Sequence, residues 1–209
     1  MKFYRIDTIT NQAKKYGGFL NHYEPYQEIR NFRRINVKFE GFSNLPIIFE
    51  RDTTYKNDEP ISDFLLTNWA EIIVSKRIYN MLKSNYSNEI DFYECFALDD
   101  GELKPYYILR AKRELDCLDR EYSQMIDYGV VKKALKSILK DDINHEYNYF
   151  GVQDGVQNVI SKKLYDDLQA LSPTNFEVTP IATTSEELKA REKNLAKKND
   201  KLDSDEFIN

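Results

Sequence analysis

The order of apolar and polar positions divides the chain into short strands and a few amphipathic helices. The alternating segments 2–7, 35–39 and 45–50 predict strands. The stretches 10–31 and 51–60 are polar and contain glycine or proline, so we expect mostly loop there. Further on, apolar runs at 90–98 and 105–111 flank the turn sequence Asp99-Asp100-Gly101, which predicts a β-hairpin.

A ten-residue pattern occurs twice, at 73–82 and again 86 positions later at 159–168. Each copy has a short apolar run, a serine, and then apolar residues at helical spacing. Serine is a favoured N-cap because its hydroxyl accepts a hydrogen bond from a first-turn amide, which assigns this role to Ser75 and Ser161. We predict two related strand-Ser-helix-strand units, with Phe92 and Phe176 in their second strands. Chance similarity of two amphipathic segments is the alternative.

These elements predict an α+β fold in which the two units face each other or pack side by side around a mixed or antiparallel sheet. The spacing of apolar residues over 130–138 favours a helix there. From 183 onward the chain is dense in Lys, Glu and Asp, and its leucines are too sparse for a coiled coil. We expect an exposed helix that begins near Ser185. The predicted divisions are N-terminal strands and loops (1–60), an α+β core (61–182) and a charged helical or disordered tail (183–209).

Composition narrows the class of protein. The 209 residues are 41% hydrophobic and 31% charged, with 15 Tyr and 12 Phe, which suits a dense core, a binding surface or both. A net charge of -5 disfavours a nucleic-acid partner. The first residues do not form a secretory leader, no segment is apolar enough to span a membrane, and the two cysteines are not in a CxxC motif. We therefore expect a cytoplasmic protein with buried free thiols.

Motifs for catalysis and cofactor binding are absent from the sequence. His22 and His145 have no partner at metal-ligand spacing, and the chain contains no HExxH, GxSxG, Walker or GxGxxG pattern. The best candidates for acid-base or metal chemistry are Asp116, Asp119 and Glu121. The same segment favours a turn in which side chains cap backbone groups. We expect no enzyme activity, no metal and no cofactor.

Several of these motifs, in this order, are similar to those of one known family. The matching segments lie within residues 60–182: 62–64 (SDF), 73–76 (IVSK), Phe92, 106–109 (YYIL), 115–123 (LDCLDREYS), 149–150 (YF), 159–164 (VISKKL) and 176–180. They resemble the polymorphic-toxin immunity family numbered eleven. The resemblance implies that the chain is an antidote that binds a cognate secreted toxin. It also implies an extended conformation for 130–140, against the periodicity.

The resemblance implies no catalytic residues. It implies instead that six family-motif residues hold the fold: Ser75, Asp116, Asp119, Glu121, Ser123 and Ser161. Candidate toxin contacts, chosen from acidic loops and aromatic anchors, are Asp99, Asp100, Glu102, Tyr106, Asp141, Asp142, Glu146 and Tyr147. Two other functions stay open, namely an adaptor acting through the charged tail and a metal-dependent enzyme using the carboxylates near Asp119. The oligomeric state is not predicted.

Overall fold

Thirteen strands and three helices make up the described parts of the computed structural model, which are residues 2–6, 19–22, 47–51, 61–65, 72–99, 101–127, 132–143 and 146–205. The strands are β1 Phe3–Ile6, β2 Phe19–His22, β3 Ile48–Arg51, β4 Phe64–Leu65, β5 Ile72–Ser75, β6 Ile90–Asp99, β7 Glu102–Ala111, β8 Glu114–Leu115, β9 Gln124–Asp127, β10 Lys132–Lys136, β11 Tyr149–Val152, β12 Val159–Ser161 and β13 Val178–Ile181. The helices are α1 Lys76–Tyr86, α2 Lys162–Gln169 and α3 Thr184–Asp205. The predicted α+β class is confirmed.

Two larger sheets organise the described residues. One has the strand order β2-β3-β6-β7-β5-β4 and the other β13-β1-β12-β11-β8, while β9 and β10 form a separate pair. The N-terminal part of the chain contributes to both, because β2 and β3 join the first sheet and β1 is an inner strand of the second.

The two predicted units have the same pairing scheme. In the first unit (β4, β5, α1, β6 and β7), Phe64 pairs with Val74 across β4 and β5. In the second unit (β11, β12, α2 and β13, with β1), Tyr149 pairs with Ile160 in the same way. The next neighbour of β5 is β7, and the next neighbour of β12 is β1. Strand β1 therefore occupies in the second unit the position of β7 in the first.

One stacked tyrosine pair in each unit shows the same equivalence. Tyr79 of α1 stacks on Tyr107 of β7 with ring centroids 3.7 Å apart, and Tyr165 of α2 stacks on Tyr4 of β1 at 4.6 Å. The aromatic rings at these positions pack each helix onto an inner strand.

Each unit also binds the loop that follows the helix of the other. Asp63, directly before β4, accepts hydrogen bonds from Thr174 after α2, whose amide nitrogen lies 3.0 Å from Asp63 Oδ2. Asn148, directly before β11, donates its amide to the Glu89 carboxylate after α1. Because both connections run between the units, they tie the two sheets together at two places.

The core between the units is continuous. One apolar cluster joins side chains of α1 and its sheet to side chains of α2 and β12, including the fully buried Ile78, Leu82, Ile160 and Leu164. A second cluster lies on the other face of the β5-β6-β7 strands, around Cys95. A third surrounds Phe150 in the second sheet, where Phe3 meets it edge to face at 5.6 Å. Both cysteines are free and buried, as predicted.

Several elements differ from the predictions. The predicted helix over 130–138 is wrong, because 132–136 is strand β10 paired with β9. Strand β2 lies inside the stretch predicted to be mostly loop. Phe176 precedes β13, and the position that matches Phe92 by pairing is Val178. The β6–β7 hairpin and a helix from 184 occur as predicted, whereas the predicted strand at 35–39 lies outside the described residues.

Candidate functional site

The two repeated serines play different structural roles. Ser161 accepts a hydrogen bond from Leu164 N at 3.2 Å and so caps α2, as predicted. Ser75 is the N-cap residue of α1, as predicted, but the predicted hydrogen bond from a first-turn amide to its hydroxyl is not formed. Its hydroxyl donates instead to Asp63 Oδ1 at 2.7 Å, and Ser161 also donates to Asn148 Oδ1 at 2.8 Å. In both units, then, the serine hydroxyl binds the polar residue before the neighbouring strand.

The charge of Asp63 is compensated by several donors. Besides Ser75 and Thr174, the Arg77 guanidinium lies 2.5 Å from Asp63 Oδ2. Burial alone would raise the pKa of this carboxyl, but the hydrogen bonds from Arg77, Thr174 and Ser75 and the charge of Arg77 hold it below the ordinary value. Asp63 is thus a charged structural link between the two units.

The 115–123 block forms a turn that anchors α3. Asp119 Oδ1 accepts from the amides of Glu121 and Tyr122, and Asp119 Oδ2 accepts from Thr184 Oγ1 at 2.5 Å, in the first turn of α3. The buried Ser123 hydroxyl accepts from the amide of Ile138 and donates to its carbonyl. Glu121 is exposed. Asp119 therefore acts on the backbone in the way the turn interpretation predicts.

Asp116, the first carboxylate of this block, is paired with cations. Arg120 lies between Asp116 and Asp154, 3.0 Å from each, and Lys140 approaches Asp116 at 4.0 Å. The hydrogen bond from Arg120 and the charge of Lys140 lower the pKa of Asp116. Among the described residues, no three His, Cys, Asp or Glu side chains are grouped as ligands for a metal. This geometry fits an ion-pair network better than an acid-base pair.

Two candidate contacts at the hairpin are buried. Asp99 ends β6 and is 6% exposed, with Lys104 Nζ 2.9 Å from its Oδ2. Tyr106 is 4% exposed and donates its hydroxyl to the Ser62 carbonyl at 2.8 Å, so its ring belongs to the core. Glu102 is exposed at the start of β7, after Gly101 with its positive φ of 82°. Asp100 lies outside the described residues.

The hairpin carries an apolar surface that sequence reasoning missed. Opposite residues of paired strands share a face. Phe96 pairs with Pro105 and Leu98 with Leu103, while Ile48 of β3 pairs with Phe96. Leu103 is 53% exposed. We call these residues the distal face: Ile48, Phe96, Leu98, Leu103 and Pro105. The available signal was that every second residue near the turn, namely Phe96, Leu98, Leu103 and Pro105, is apolar, which predicts a covered face.

The second group of candidate contacts lies near the start of α3. Asp141 binds the amide and hydroxyl of Ser185, and the hydrogen bonds from Thr183 and Ser185 lower its pKa. Asp142 and Glu146 are exposed. Tyr147 is partly buried, with the Arg113 guanidinium 4.9 Å from its ring centroid. Asp141 thus lies at the start of α3, and Tyr147 packs against the apolar cluster around Phe150.

None of the three described helices, α1, α2 and α3, is both long enough and apolar enough to cross a membrane.

Comparison with known families agrees with the order of motifs. No curated protein matches the chain. The model of the immunity protein family (Imm11) matches residues 8–183, a range that includes the first unit and β11, β12, α2 and β13 of the second. Because this match covers most of the chain, the protein belongs to the Imm11 immunity protein family.

Proposed function

We propose that this protein binds one cognate secreted bacterial toxin and neutralises it by occlusion. The observation that carries the proposal is the family match over residues 8–183. Inhibition by a bound partner needs surface complementarity and no catalytic group, which suits a chain whose family-motif carboxylates Asp116 and Asp119 are engaged in an ion pair and a turn. We place its action in the cytoplasm of the cell that makes the toxin.

Charge supports a basic partner. The net charge of -5 and the exposed acidic residues Glu94, Glu102, Asp142 and Glu146 favour association with a positively charged surface, because complementary charge raises the association rate. A toxin that acts on nucleic acid would offer such a surface. The bound immunity protein would then occupy the place of the nucleic-acid substrate.

The test is co-expression with the toxin domain encoded by the adjacent upstream gene. We expect growth to be rescued and a stable complex to co-purify, whereas a toxin domain from an unrelated system should kill in the presence of this protein. An active toxin that kills despite the folded protein, with no complex detected, would refute the pairing. Rescue without any complex would refute occlusion.

An adaptor role through the tail is a second candidate, because α3 leaves the body after its first turns. Ser185 and Glu187 are held by Asp141 and Lys136, whereas residues 191–195 are exposed. Deleting residues 192–209 keeps those anchoring contacts, so we expect rescue and toxin affinity to be unchanged. Loss of rescue by this truncation, with the remaining chain folded, would place the end of α3 in the toxin interface.

A further inference from the structure

The first unit extends beyond the pairing scheme that it shares with the second. The position of Cys95 in the first unit corresponds to Ile181 in the second, since Cys95 pairs with Tyr106 and Ile181 with Phe3. After Ile181 the chain turns into α3. After Cys95 the hairpin continues for four more residue pairs and is joined by β3. This extension is not needed to complete the repeated arrangement.

Helix α1 does not cover the extension. Ser75, which precedes α1, pairs with Tyr106, so the helix begins at the level where the extension starts. The buried residues of α1 pack with Ile90, Leu109 and Ala111 at the opposite end of the hairpin. The distal face continues the same face of the sheet past the helix, and its residues belong to none of the three apolar clusters.

The distal face is apolar at its centre and has one acidic residue, Glu94, at its border. Glu94 pairs with Tyr107 on the same face and is exposed, whereas the exposed Glu102 pairs with Asp99 on the opposite face. The nearest cation in the extension, Lys104, pairs with Ala97 on the opposite face and binds Asp99 there. A partner that fits this surface has an apolar centre and a Lys or Arg that faces Glu94.

We propose that the distal face is the surface that contacts the toxin, through an apolar toxin side chain with a basic residue beside it that faces Glu94. This inference rests on the proposed immunity function. The central apolar residues supply the buried contact, and Glu94 steers the toxin towards it. An exposed leucine at the centre of an interface becomes costly to replace once the partner has excluded water around it.

The first experiment compares exposed leucines. Leu103→Asp places a charge on the distal face, while Leu135→Asp and Leu195→Asp are matched controls at positions 61% and 62% exposed elsewhere on the protein. We expect Leu103→Asp to raise the Kd for the purified toxin domain by at least ~30-fold, with both controls within about 3-fold of wild type. Thermal unfolding of all three should stay close to wild type, which separates lost contact from lost fold.

The second experiment tests the acidic border. Glu94→Lys should slow association about 3-fold at low salt, with a smaller effect at high salt, because exposed charges are screened there. Glu121→Lys is the control for a charge reversal away from this face, and its association rate should match wild type.

The outcomes separate the two proposals. If wild type binds the toxin but Leu103→Asp binds equally well, the distal face is not the contact and the immunity function stands. If wild type neither binds nor rescues, both fall. Gel filtration of wild type and Leu103→Asp tests whether the distal face mediates self-association. If wild type is a dimer, and Leu103→Asp is a monomer that still binds the toxin with wild-type affinity, the distal face contacts a second copy of this protein. That result would overturn the proposal.

Discussion

The first and second units share one strand order, yet their chain paths diverge after Cys95 and Ile181. In the first, a continuous hairpin supplies β6 and β7. In the second, β13 and β1 supply the matching pair and come from opposite ends of the chain. The shared part contains most of the core and the links between the units. The extended hairpin is buried on the face that carries Ala97, whereas Leu103 on its other face and Leu195 in α3 are exposed. The comparison separates residues that maintain the fold from exposed apolar residues that the fold does not use.

The largest effect should come from the strand that completes the second unit. Phe3 is 1% exposed and packs against Phe150, so Phe3→Ala leaves a cavity and removes buried apolar contact. We expect a loss of about 3–5 kcal/mol in the free energy of unfolding, measured by urea denaturation. Lys2→Ala is the control, since the Lys2 side chain is exposed and only its carbonyl is used, by Lys162 N. A loss below about 1 kcal/mol would show that β1 is not an integral strand.

A smaller effect is expected at the link that Asp63 forms. Asp63→Ala leaves Ser75, Arg77 and Thr174 without the carboxylate that accepts their hydrogen bonds. We expect it to lower the free energy of unfolding by about 2–4 kcal/mol at neutral pH, measured by urea denaturation. Asp91→Ala, which loses one exposed pair at 3.6 Å with Lys112, should cost less than about 0.5 kcal/mol.

The pH dependence of that loss has a defined sign. Because the folded pKa of Asp63 is lowered, its ionisation stabilises the protein above the unfolded pKa of about 3.9, and this stabilisation disappears as pH falls through the lower folded value. The difference between wild type and Asp63→Ala should therefore be constant above about pH 5 and shrink on acidification. A difference that grows as pH falls would contradict the charged link.

The smallest effect should distinguish the two serines. Ser161 both caps α2 and donates to Asn148, whereas Ser75 only donates to Asp63. We expect Ser161→Ala to cost about 2 kcal/mol and Ser75→Ala about 1 kcal/mol in thermal or urea unfolding. Equal losses would mean that the cap on α2 contributes little and that the units are more alike than their hydrogen bonds indicate.

Local patterns in the sequence predicted the elements made by neighbouring residues. The strand, serine and helix of each unit and the β6–β7 hairpin depend on short-range periodicity and turn chemistry, which one sequence displays. The error at β10 has a physical cause. Apolar residues at 130, 131, 134, 135 and 138 fit a helical period, but Leu135 is exposed while Ile138 is buried, and pairing with β9 decides the conformation.

Long-range pairing could not be predicted in the same way. Nothing local shows that Phe3 pairs with Ser161, that Asp63 binds Thr174, or that Asp119 binds Thr184. The same limit applies to the candidate site. Tyr106 and Asp99 were reasonable surface residues by composition, but their burial depends on which strands lie beside the hairpin. The distal face can be identified as uncovered by α1 only from the strand register, which shows that β6 and β7 continue beyond the level at which α1 begins.

The position of β1 has a consequence for co-translational folding on the ribosome. Residues 3–6 are translated long before both of their sheet neighbours, which lie at 159–161 and 178–181. At about 5–20 residues per second, β1 waits roughly 10–35 s for its partners to be made. The second sheet can therefore form around β1 only after residues 159–181 have been synthesised, late in translation.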